Sequence, residues 1–125
     1  MTTLKSVTPV LLVSDVPRAA AFWNTLGFAT DFVHGTPPFY GAVSRDGFVL
    51  HMRHIDEPPF AAAAAREEQL ICAAIEVTDV AALHADFAAR GIAFAHPLTR
   101  QDWGGTDFHV RDPDGNVVSF VGFDA

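Results

Sequence analysis

The spacing of apolar residues changes twice along this chain, and then does so again in the same order. Val7 to Val13 is a β-branched and aliphatic run that reads as a buried strand. Ala19, Phe22, Trp23 and Leu26 then fall at helical spacing and form one apolar face. Asp15 is placed to cap that helix, Pro17 suits an early position that needs no donor, and Gly27 ends it. Short β-type runs follow at Phe28 to Val33, Phe39 to Ser44 and Phe48 to Arg53, the last two joined by an Asp46-Gly47 hairpin turn. The pattern predicts β-α-β-β-β.

The second half repeats it, and the strand–helix part does so without a gap. Val13-Ser14-Asp15-Val16 is echoed 64 residues later by Val77-Thr78-Asp79-Val80, and Leu26-Gly27-Phe28 by Arg90-Gly91-Ile92. A further echo aligns Arg45-Asp46-Gly47-Phe48-Val49-Leu50-His51 with the segment from Asp112 to Ser119, on Gly47 and Gly115. The predicted elements are Leu70 to Val77, a helix from Asp79 to Gly91, Ile92 to Ala95, Thr106 to Arg111 and Val117 to Phe123. Repetition on this scale means two copies of one supersecondary unit. Module one takes residues 1–55 and module two residues 70–125; the linker 56–69 opens on Asp56-Glu57-Pro58-Pro59 and holds a short helix within Phe60 to Gln69. Each sheet needs a partner layer for its open face, so residues 1–125 are expected to be one domain.

Composition narrows the function classes. Half of the 125 residues are hydrophobic, which suits a globular chain with a real core. No apolar run reaches the ~18 residues of a membrane span, and the N-terminus lacks a signal-peptide pattern. A single cysteine, Cys72, allows no internal disulfide and fits a reducing cytoplasm. The net charge of −7 argues against nucleic acid, whose phosphates require clustered Lys and Arg. It suits attraction of a cationic small molecule, or solubility alone. Phosphate loops, HExxH spacing and a GxSxG nucleophile elbow do not occur in the sequence.

Paired βαβββ modules resemble the vicinal oxygen chelate superfamily, which includes glyoxalase I, extradiol dioxygenases, and fosfomycin- and bleomycin-resistance proteins. The strings Val7-Thr8-Pro9-Val10-Leu11, Asp15-Val16, Ala21-Phe22-Trp23, Leu26-Gly27-Phe28, Trp103-Gly104 and Phe108 to Asn116 look most like the bleomycin-binding branch. The resemblance implies an α+β fold in which both modules form one open, cupped mixed sheet. It also implies a homodimer, in which Pro9 starts a strand arm exchanged between subunits, and a drug held by sequestration without turnover. Superfamily enzymes hold a divalent ion with four strand residues, and those positions here are Thr8, His51, Cys72 and Ser119. Hydroxyls are weak ligands, oxygen-binding ions favour carboxylates, and zinc wants several thiolates or imidazoles. A bound metal or other cofactor is therefore not expected, and no catalytic residue is assigned.

The site then rests on the cleft lining. Strand alternation places Thr8, Val10, Leu12, Val49, His51, Arg53, Val117, Ser119 and Val121 toward the cleft, and Leu11, Val13, Leu50, Met52, Val118 and Phe120 in the core. His51 is open to two readings, a polar anchor for a ligand or a sheet-face histidine without chemistry; Cys72 reads as a small buried hydrophobe. Resemblance puts Phe39 and Trp103 at aromatic clamp positions, and Trp103 stands in a polar, glycine-flanked loop where an indole is hard to bury. The expected ligand contacts are Phe39, Tyr40, His51, Trp103, Phe108 and Ser119. Two other readings stand beside drug binding: a divalent-metal glyoxalase- or dioxygenase-type enzyme, and a structural dimer with no ligand.

Overall fold

The computed structural model describes residues 1–57 and 62–123, and the chain divides into two compact units, 1–56 and 57–125. The first unit holds β1 (Val10–Val13), α1 (Val16–Thr25), β2 (Ala29–His34), β3 (Tyr40–Arg45) and β4 (Phe48–His54). The second holds α2 (Ala62–Glu67), β5 (Ala73–Glu76), α3 (Val80–Ala89), β6 (Phe94–Arg100), β7 (Thr106–Arg111) and β8 (Val117–Gly122). Each unit builds a four-stranded mixed sheet, in the orders β1-β4-β3-β2 and β5-β8-β7-β6, with its first and last strands parallel. The two ladders share one register: Val10 faces His51 in the first and Ala74 faces Ser119 in the second. Part of the expected linker helix, Phe60 and Ala61, lies outside the described residues; α2 covers the stretch from Ala62.

Both helices start as their sequences demand. The Asp15 carboxylate accepts from the Arg18 amide at 3.0 Å, and the Asp79 carboxylate from the Ala82 amide at 3.0 Å. α1 lays Val16, Ala19, Ala20 and Trp23 on one face of its sheet, over Leu11, Val13, Val43, Leu50 and Met52. Trp23 is fully buried and meets Phe22 and Phe28 edge-on at 5.3 and 5.2 Å. In the second unit Phe87 of α3 fills the same role, edge-on to Phe108 and Phe120 at 5.8 and 5.5 Å. A buried ring of this kind contributes on the order of 2–3 kcal/mol through removed area, plus about 0.5–1.5 for each well-set ring pair.

Three strands differ from expectation by more than one residue. β1 begins at Val10 rather than Val7, because the His51 amide already bonds to the Pro9 carbonyl and Pro9 has no N–H to carry the ladder further. Leu4 and Val7 are left 91% and 92% exposed. β5 is shorter than Leu70 to Val77, although the Cys72 and Val77 amides still bond to Val117 and Val121. β6 runs to Arg100 instead of stopping at Ala95, with irregular register on either side of His96. It is an edge strand, the place where an internal Pro97 is tolerated. No helix among the described residues is long and apolar enough to cross a membrane.

The seating of α1 depends on Gly41. A Cβ there would stand 2.9 Å from Val16 Cγ1 and 3.2 Å from Met52 Cε. Gly41→Ala is expected to destabilise the fold by about 1–3 kcal/mol, read as an earlier urea midpoint. An unchanged midpoint would show that the helix does not approach the sheet at this point.

Candidate functional site

α1 covers one face of the first sheet, and the other face carries the aromatic side chains. Gly41, Val43, Leu50 and Met52 point to the helix, so alternation turns Tyr40, Ala42, His51 and Arg53 the other way. Register then puts Phe32 opposite Ala42, and Ala42 opposite His51. The small Ala42 leaves room above it, and the rings gather there. Phe32 and Tyr40 lie nearly parallel with centroids 6.5 Å apart, and Phe32 meets His51 edge-on at 6.2 Å. The Tyr40 hydroxyl and His51 Nδ1 share a hydrogen bond of 2.9 Å. Phe39 adds a ring 6.2 Å from Tyr40. Phe32 and Phe39 remain 45% and 46% exposed, so this patch keeps large aromatic surface in water. Phe39, Tyr40 and His51 are thus brought together, and Phe32 is a member that the list of expected contacts lacked.

The face of the second sheet opposite α3 carries a buried polar group between Val117 and Val121. Asp107 is buried at its centre and accepts from three side chains. Gln101 Nε2 donates to its Oδ1 at 2.9 Å; His109 Nε2 lies 3.3 Å and Ser119 Oγ 3.4 Å from its Oδ2. A buried carboxylate survives only with such partners, because an unpaired charge in this setting is strongly penalised. His96 packs against His109 with ring centroids 4.9 Å apart, and its buried Nε2 has no hydrogen-bond partner among the described residues. Burial lowers the His109 pKa from the ordinary 6.5, and the hydrogen bond and charge of Asp107 oppose that shift. Ser119 was expected at the site and is found at the edge of this network. Asp107, Gln101 and His96 were missed; the available signal was the polar period of Asp107, His109 and Arg111 along a strand whose alternate residues are Phe108 and Val110.

Gln101 ties the network to the loop that presents Trp103. Its amide bonds to the Gly105 carbonyl at 2.8 Å and its carbonyl accepts from Gly104 at 3.1 Å, closing a tight loop. Trp103 is 58% exposed and rests 5.7 Å from Phe123. The indole lies where a Cβ at position 105 would sit, so only glycine leaves room for it.

Phe108 is corrected. It is fully buried, stacked on Phe120 at 5.4 Å and edge-on to Phe87, and belongs to the core beneath α3. Its place on β7 is one residue out of phase with Asp107 and His109, so it faces the helix rather than a surface ligand.

The four positions at which the superfamily holds a divalent ion do not suit one here. Thr8 and Ser119 offer neutral hydroxyls, His51 Nδ1 is engaged by Tyr40, and Ser119 Oγ by Asp107. The Cys72 sulfur is bonded to the Val117 carbonyl. Although the residue as a whole is exposed, desolvation of the sulfur, helped by the nearby Asp112 charge, pushes its pKa to about 11 and away from the thiolate that metals need. Among the described residues, no group of three or more His, Cys, Asp or Glu is arranged to hold a metal.

Fold and sequence agree on the family. The chain belongs to the Glyoxalase/Bleomycin resistance protein/Dioxygenase superfamily, whose profile it matches over residues 4–120. Its fold is that of a bleomycin-binding protein solved with bleomycin (TM-score 0.79, 21% identity, covering 97% of this chain and 100% of that one). It is likewise that of a bleomycin resistance determinant encoded on the transposon Tn5 (TM-score 0.78, 21% identity, 98% and 100% covered). A bleomycin-binding protein from bleomycin-producing Streptomyces verticillus, solved with copper(II)-bleomycin, is 32% identical at a TM-score of 0.74, with 96% and 97% covered. No curated protein matches the chain in sequence.

The lowered His109 pKa has a consequence for stability. The unfolded chain binds a proton at this residue near pH 6.5 while the folded one does not, so stability is present above that pH and falls as the pH drops through the folded pKa. Denaturation midpoints of the native protein should therefore fall between pH 7 and pH 5.5, and those of His109→Gln should fall less. Equal losses would mean that His109 is not the group responsible.

Proposed function

We propose that this protein binds and sequesters a planar, cationic antibiotic of the bleomycin type, without turnover and without a metal of its own. The observation that carries the reading is the aromatic patch on the helix-free face of the first sheet. Monomeric proteins seldom leave large aromatic rings grouped in water unless the surface binds something, and Phe32 and Phe39 are nearly half exposed beside the fixed Tyr40–His51 pair. Ring faces suit flat heteroaromatic groups by stacking and cationic groups by cation–π attraction. The −7 net charge favours approach of a cation. Phe39, Tyr40, His51 and Trp103 are the proposed contacts; Ser119, expected among them, is buried with its hydroxyl on Asp107. That two of the proteins named above were solved with bleomycin supports the ligand class.

The protein is further proposed to work as a homodimer in a reducing, cytoplasmic setting. Support for the dimer comes from residues 1–8, which belong to no strand of their own unit and carry Leu4 and Val7 into solvent. An apolar arm preceding a proline is suited to exchange with a second copy. The alternative, a divalent-metal enzyme of the same superfamily, has the donor set at Thr8, His51, Cys72 and Ser119 against it.

Calorimetric titration with bleomycin tests the reading. Saturable binding is expected, with affinity reduced about tenfold or more by Trp103→Ala and by Phe39→Ala, as truncated aromatic anchors usually cost. Equal affinity in both variants, or stoichiometric Zn, Ni, Mn or Fe in the purified protein that departs with His51→Ala, would contradict it.

A further inference from the structure

The second unit contains a pocket of about 210 Å³ that the aromatic patch and the Asp107 network leave unused. It opens between the segment that follows α2 and the turn joining β7 to β8. Leu70, Ile71 and Val117 supply apolar wall, and Arg66 and Arg111 stand at its lining together with Asp114. The frame is fixed by backbone bonds: Leu70 N–H to the Ala65 carbonyl and Cys72 N–H to the Val117 carbonyl, both 2.8 Å. Across it, the Asp112 carboxylate holds the turn by accepting from the Asp114 and Asn116 amides at 2.9 and 2.8 Å.

The charge of this lining departs from that of the rest of the chain. Only 8 residues are basic against 15 acidic, yet two of the arginines meet at one pocket. Arg45 and Arg90 are engaged by Asp46 and Asp86, whereas Arg66 and Arg111 make no ion pair or side-chain hydrogen bond among the described residues. Asp114 at the lining and Asp112 behind the turn balance the two arginines in number, but Asp112 is turned to the backbone amides of its own turn. The volume is below the ~300–1,000 Å³ of sites for drug-sized ligands, so the occupant is small. Guanidinium forks match a carboxylate in shape and in hydrogen-bond donors.

We propose that this pocket binds a small organic monoanion, a carboxylate on a compact apolar body, gripped by Arg66 and Arg111 with its apolar part on Leu70, Ile71 and Val117. The inference does not rest on what the aromatic patch binds. The two neighbouring carboxylates disfavour a multiply charged anion such as phosphate, and the apolar wall favours a ring or short chain over a bare ion.

Calorimetry with sodium benzoate tests it, using benzamide and benzamidine as neutral and cationic counterparts of the same size, and inorganic phosphate as the bare anion. Saturable binding of one benzoate per chain is expected, with the other three at least about tenfold weaker. Arg66→Gln and Arg111→Gln should each weaken benzoate about tenfold, the loss of one charged hydrogen-bonding partner, while the circular dichroism spectrum is kept. Leu70→Asn, which leaves both arginines in place, should weaken benzoate but not phosphate. The proposal is overturned by benzoate that does not saturate, by phosphate that binds as tightly as benzoate, or by affinity unchanged in both arginine variants. It is also overturned if sedimentation shows benzoate expelled as the chain self-associates, since a second copy would then be the occupant.

Discussion

Each sheet in this protein has one helix to cover it, and a ten-residue helix can cover one face only. That constraint orders the molecule. Trp23 in one unit and Phe87 in the other fill the covered side completely, with Gly41 letting α1 come close enough to do so. Strand alternation then commits every second residue to the opposite side. What evolution placed on that side differs between the units. The first presents rings over a small Ala42, and the second a carboxylate surrounded by donors. Packing of this order is worth several kcal/mol per large side chain and leaves little freedom in register.

Burying Asp107 has a structural return. Gln101 both holds the carboxylate and closes the loop that carries Trp103, so the exposed indole is supported by a hydrogen-bonded base rather than by a floppy turn. Preorganised aromatic contacts lose less entropy on binding, which is how a small protein can hold a ligand tightly with few of them. The Tyr40–His51 hydrogen bond does the same for the first unit.

Much of this could be read in the sequence because local chemistry and tertiary demand coincide. Asp15, Pro17, Asp79 and the helical spacing of Ala19, Trp23 and Leu26 each act within one turn, and a repeat of 64 residues doubles the signal. The exposure of Trp103 was legible from its polar, glycine-flanked loop, whereas Phe39 was placed by resemblance. What could not be read depends on partners distant in sequence. Phe108 lies beside the polar Asp107 and His109, and only the pairing of β7 with β8 shows which of them faces α3. Val7 has the composition of a strand but no ladder partner, because the proline after it ends the pairing. β6 runs through Pro97 because it is an edge, a fact that sheet order decides and sequence does not.

On the proposed function, the ligand meets the exposed aromatic side chains while the helix-packed core stays out of contact. The chain holds two tryptophans, one in each environment: Trp23 fully buried and Trp103 58% exposed. Their two indole N–H resonances in a nitrogen-15 correlation spectrum report the environments separately. On titration with bleomycin the Trp103 signal is expected to shift or broaden to saturation while the Trp23 signal stays in place. A Trp103 signal that does not move at saturating drug, or a shift confined to Trp23, would contradict it.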